Sequence, residues 1–285
     1  MAFARGHKYF YLPDRFFVCS LVLLFPIGGI YGLLTDDWVF FVREGTVHLS
    51  DNAFLVERVV FLLAVLLPAL VWMKYLDKYP ISGMGFSLRG RGRDMVWGTL
   101  LACLLYLIAY PVILSWGHAE IAGVEWDIPA LVYWLLIFFI GAFAEEIMCR
   151  GYVLRRLMYT RLNRFVALAI SSALFSLLHF LNPHTGFVPF LNLFIAGLML
   201  GAAYLYTHNL WFPTFLHTFW NWIQGSVLGF NVSGTTSRYS LIDLNIREDN
   251  LLNGGGFGFE GSLLCTFLML VVTGGIIWYY EGKRA

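Results

Sequence analysis

The chain has 285 residues, 59% of them hydrophobic and 18% aromatic but only 13% charged, with a mean hydropathy of +0.70. That is too apolar for a water-soluble domain of this length and reads as a polytopic membrane protein. A formal net charge of +1 supplies no basic surface for nucleic acid, so no nucleic-acid partner is expected.

A membrane helix needs about 20 apolar residues to cross ~30 Å of hydrocarbon. Eight stretches meet or approach that length: 16–34, 54–74, 95–116, 129–149, 165–180, 187–206, 210–230 and 262–280. The expected fold is therefore all-α, a single membrane domain of about eight transmembrane helices over 1–285. Arg5, Lys8 and Arg15 precede the first stretch as in a signal peptide, but no small-x-small cleavage site follows, so it reads as a retained anchor. With the N-terminus inside, the alternate inner segments hold all the Lys and Arg except Arg43, Arg58, Arg238 and Arg247. The positive-inside rule then places both termini in the cytoplasm.

Cys19, Cys103, Cys149 and Cys265 all fall in apolar segments, which predicts buried thiols rather than disulfides or a zinc-cysteine site. Gly197 and Gly201 form a GxxxG pair, the spacing of close helix packing. No internal repeat suggests a transporter built from inverted halves. The polar, glycine-rich segment 231–261 is expected to be mobile, a passive linker in preference to a cover over an opening. Its Asn231-Val232-Ser233 matches a glycosylation acceptor, a weak three-residue pattern.

Three of the apolar stretches carry groups that hydrocarbon disfavours: Glu145, Glu146 and Arg150, then His179, then His217 and Asn221. Intramembrane ionisable residues are functional by default. Glu146 and Arg150 are four apart with the acid N-terminal, the better order for a helical ion pair. Glu145 points about 100° away and is left free for general-base work. His179 suits a base partner or a metal ligand. His217 and Asn221 share one helix face and offer hydrogen bonds to an oxyanion, or alternatively join helices.

Glu145 to Arg150 fits EExxxR, Phe175 to His179 fits FxxxH, and His217 to Asn221 fits HxxxN, in that order. In these motifs the chain resembles the CPBP family of intramembrane proteases, which includes CaaX prenyl-protein endopeptidases of the Rce1 type and bacterial Abi proteins. The resemblance covers roughly 129–230, the expected catalytic core. Cys149 departs from the aromatic residue that the family often has before the arginine. The resemblance implies an eight-helix glutamate peptidase with no cofactor and no metal. Glu145 and His179 would activate a water, His217 and Asn221 would hold the oxyanion, and Glu146 and Arg150 would support the site. The implied partners are the bilayer and a membrane-associated protein or peptide, lipidated near its C-terminus in the prenyl-protein case. The membrane would be a bacterial inner membrane or that of the endoplasmic reticulum.

Two other readings use the same residues. Glu145, His179 and His217 could ligate zinc, although no HExxH is present. A non-enzymatic transporter or immunity-type scaffold could use the polar groups for passage or packing. Depth along the helices tests all of these. With ideal rise, His179 stands about 15 Å too far out to meet Glu145, unless the fourth helix continues past Arg150 towards Tyr159.

Overall fold

The computed structural model describes residues 51–283 except 76, 77, 79 and 117, so the expected first span and its reading as an anchor lie outside the described residues. The helices are α1 (Asp51–Tyr75), α2 (Gly92–Ser115), α3 (Ile128–Met158), α4 (Arg164–Leu178), α5 (Phe187–Thr207), α6 (Trp211–Trp222) and α7 (Leu263–Gly282). Each of the seven expected stretches from residue 54 onward coincides with one of them. Among the described residues, five helices (α1, α2, α3, α5 and α7) are long and apolar enough to cross a membrane. At 15 and 12 residues, α4 and α6 are too short to cross unaided.

Local signals start several of these helices. Asp127 accepts the Ala130 backbone N–H at 3.0 Å, with Pro129 in the first turn of α3 where its missing N–H costs nothing. Asn163 and Ser262 cap α4 and α7 in the same manner, at 2.8 and 3.0 Å. Apolar side chains such as Leu107, Phe267 and Trp278 point away from the bundle, as expected of surfaces covered by lipid. The central helix is α5, packed between α4 and α7, whereas α6 lies against α2 and α3. The GxxxG pair serves the first of these contacts. A β-carbon on Gly197 would stand 2.8 Å from Ser172 Cα, and one on Gly201 only 2.4 Å from Leu168.

The depth problem is resolved by two helix boundaries. Helix α3 is continuous through Met158. Glu145 is thus 13 residues from its end, ~20 Å, and His179 is 15 residues from the start of α4, ~22 Å from the same side. The second boundary concerns α6, which begins inside the bundle rather than at its edge. Leu210 packs at the level of Gly151, where a β-carbon would stand 3.4 Å from its Cδ1. Counting seven residues on from Leu210 and six back from Gly151 brings His217 and Glu145 to one level.

The segment after α6 departs from expectation. Instead of a mobile linker, it is folded and tied to the helices. Strand β2 (Ile242–Ile246) pairs antiparallel with β1 (Ala119–Val124) in a two-stranded sheet. The Tyr239 hydroxyl donates to Glu125 O and accepts from Asp127 N. Asn192 of α5 donates to Glu260 O and Ser262 O at 2.7 and 2.8 Å, and Asn182 donates to Ser233 O at 2.9 Å. Fastened at these points, residues 231–261 form a wall over the helices. The thiols of Cys149 and Cys265 are buried and that of Cys103 partly so, all free; Cys19 lies outside the described residues.

Candidate active site

Helices α3, α4 and α6 converge on one cavity of about 470 Å³. Glu145, His179, His217 and Asn221 all line it. Each position follows from local sequence. Glu145 lies just before α3 changes to a π-helical stretch (Ile147–Leu154), and His179 caps the C-terminus of α4. His217 and Asn221 lie one turn apart on α6, which itself becomes π-helical at Ile223–Val227. Single π-helical turns inside α-helices recur at functional sites because they redirect side chains.

The Glu145 Oε2 atom stands 3.8 Å from His179 Nε2 and 3.8 Å from His217 Nε2. These separations exceed a direct hydrogen bond but fit a shared water. Backbone and carboxylate partners fix both imidazoles. His179 Nδ1 donates to Phe175 O at 2.9 Å, so in the neutral ring its Nε2 is left as an acceptor facing Glu145. His217 Nδ1 donates to Glu146 Oε1 at 3.0 Å, which likewise turns Nε2 towards Glu145.

Glu146 and Arg150 form the expected pair, 2.7 Å apart and both fully buried. The guanidinium also donates to Gly197 O at 3.2 Å and lies 4.5 Å from the centre of the Phe175 ring. That ring touches both imidazoles as well, with centroids 4.9 Å from His179 and 5.8 Å from His217. Phe175 therefore packs three polar residues of three helices around a single apolar plate.

Two lining residues were not foreseen. Glu260, from the folded outer segment, accepts Trp220 Nε1 at 3.0 Å and both the N–H and hydroxyl of Ser233 at 2.7 and 2.9 Å. It had no sequence signal beyond being an acid in a glycine-rich stretch. Arg58 was assigned to an outer segment, but it lies in the membrane-length stretch Phe54–Tyr75 of α1 and lines the cavity. Its signal was legible, because a lone cation in such a stretch is as costly as Glu145. Among the described residues, no group of three or more His, Cys, Asp and Glu is arranged to hold a metal ion.

A multi-helix membrane protein with a carboxylate facing two oriented imidazoles in an apolar cavity is the class that fold and site define. Residues 127–223, about a third of the chain, match the Rce1-like family model, described as Type II CAAX prenyl endopeptidase. The matched segment contains all three motifs. This bears out the family resemblance and supports an integral membrane protease of the CAAX type. No curated protein matches the chain.

Proposed function

We propose that the protein is an intramembrane endopeptidase that cuts a membrane-associated peptide with a water activated by Glu145. The observation that carries this reading is the equal spacing of Glu145 Oε2 from the two imidazole Nε2 atoms. A water held between Glu145 and His179 would give one proton to the carboxylate while its oxygen attacks the scissile carbonyl carbon. His217 Nε2–H and the Asn221 amide would stabilise the resulting oxyanion. Collapse of that intermediate breaks the C–N bond, and the proton held on Glu145 passes to the departing amine. Glu146 fixes the His217 ring, and Arg150 fixes Glu146. The membrane-facing exterior, the apolar cavity and the family match favour a lipid-anchored substrate, with a prenylated C-terminus as the first class to test.

Purified protein in detergent, given prenylated and unprenylated fluorogenic peptides, tests the reading. Cleavage should persist with chelator present and fall by ~10²–10⁴ in Glu145→Ala, the range of a lost general base. Chelator-sensitive cleavage restored by zinc would favour the metallopeptidase instead. Cleavage unchanged in Glu145→Ala would overturn the assignment, and absence of cleavage on every peptide would favour the scaffold.

A further inference from the structure

Arg58 has a position that the hydrolytic chemistry does not use. It is the one Lys or Arg among the described residues lining the cavity, which also contains the acids Glu145 and Glu260. No hydrogen bond or ion pair joins Arg58 to another described residue. It therefore differs from Arg150, whose charge is met by Glu146. The side chain of Arg58 lies along α3 at Gly141, where a β-carbon would be 3.5 Å from its Cδ and 3.7 Å from a guanidinium nitrogen. Gly141 and Glu145 are one helical turn apart on the same face, ~6 Å along the axis. The aromatic residues Phe54, Phe61, Trp134 and Phe138 line the same cavity.

A half-buried cation in an apolar helix is costly unless an anion meets it. Among the described residues that line the cavity the charged side chains are two carboxylates and Arg58, so an incoming anion finds its attraction within the lining at Arg58. A peptide drawn in from its end carries one obligatory anion, its terminal carboxylate, and a guanidinium binds that group through two parallel hydrogen bonds. We propose that Arg58 receives the free C-terminal carboxylate of the substrate and thereby sets which peptide bond reaches Glu145. This rests on the peptidase reading above. Amidation of that carboxylate should therefore weaken binding.

The test compares one farnesylated fluorescent peptide as the free acid and as the C-terminal amide. Binding is measured by anisotropy on the full-length chain carrying Glu145→Gln, so that no hydrolysis intervenes. The acid should bind about 10- to 100-fold more tightly than the amide, the span of a charge-assisted hydrogen bond. Arg58→Gln should remove the preference and Arg58→Lys should retain part of it, with thermal unfolding showing that both variants fold. In hydrolysis by the chain with Glu145 intact, amidation should raise KM and leave kcat nearly unchanged. Equal binding of acid and amide, or a preference that survives Arg58→Gln, overturns the proposal. An anionic lipid phosphate has related chemistry, so binding is repeated in neutral detergent with and without phosphatidylglycerol. Stabilisation by that lipid that is lost in Arg58→Gln, with acid and amide bound alike, assigns Arg58 to lipid and also overturns the proposal. The outcomes separate from those for the peptidase reading. Glu145-dependent cleavage without an acid preference removes only the carboxylate site, whereas an acid preference without cleavage removes only the peptidase.

Discussion

A single oxygen of Glu146, Oε1, takes both the Arg150 guanidinium at 2.7 Å and the His217 Nδ1–H at 3.0 Å. The ion pair inside α3 is thereby extended to α6. It holds a helix that is too short to cross the membrane alone, and it chooses which imidazole nitrogen faces Glu145. A residue that helical spacing presents as a brace for its own helix is, in three dimensions, the positioning group for the opposite wall of the site.

That linkage makes Glu146 costly to change in two separable ways. Glu146→Gln leaves Arg150 buried without its anion and should destabilise the protein by ~3–5 kcal/mol, read from unfolding in detergent. Replacing both members with neutral groups of similar volume, Glu146→Gln with Arg150→Met, should restore much of the stability. Hydrolysis should not recover with it, because the His217 ring still lacks its carboxylate partner. Recovery of both together would show that Glu146 acts on activity only through folding.

The His217 imidazole should set the alkaline limb of the pH profile of kcat. The proposed oxyanion contact requires His217 to carry a proton on Nε2, which is lost as pH rises, because Nδ1 is already committed to Glu146. Activity therefore falls on the alkaline side. Substituting His217→Gln supplies a donor that does not titrate, so the alkaline limb should flatten while the maximum falls by ~10²–10³, as for one lost oxyanion donor. An alkaline limb unchanged in that variant would assign it to another group.

Glu260 should control the outer wall and not the chemistry. Its two oxygens join Trp220 of α6 to Ser233, so Glu260→Gln exchanges an acceptor pair for one acceptor and one donor. The loss should be ~1–3 kcal/mol locally. Hydrogen exchange across 231–261 should accelerate while α3 and α5 remain protected. Exchange that stays slow would mean that the remaining ties, through Asn182, Asn192, Tyr239 and the sheet with β1, are enough to secure this segment.

The apolar stretches, the order of the three motifs, and the pairing of Glu146 with Arg150 were all legible without coordinates. Each depends on spacing along one helix, and helical periodicity alone assigns residues to faces. The convergence of Glu145, His179 and His217 could be expected only from the motif resemblance, and only if α3 ran on towards Tyr159, because it depends on where α3 ends and where α6 begins. Asn209 accepts the Trp211 N–H at 3.0 Å and marks the start of α6 locally, but only packing such as Leu210 against Gly151 shows at what depth that start lies. The outer segment was misread for a related reason. Glycines and polar residues look like a linker in isolation, and the partners that order them, Asn192, Trp220 and strand β1, lie between about 40 and 130 residues away in sequence. Arg58 marks the same boundary. Its cost inside an apolar helix could be read from the chain, but only packing against Gly141 shows that its charge faces the cavity of Glu145. Sequence by itself determined which side chains a membrane would have to tolerate. Tertiary structure decided which of them meet, because the distance between two helices is fixed by the packing of every residue between them and by no single periodicity.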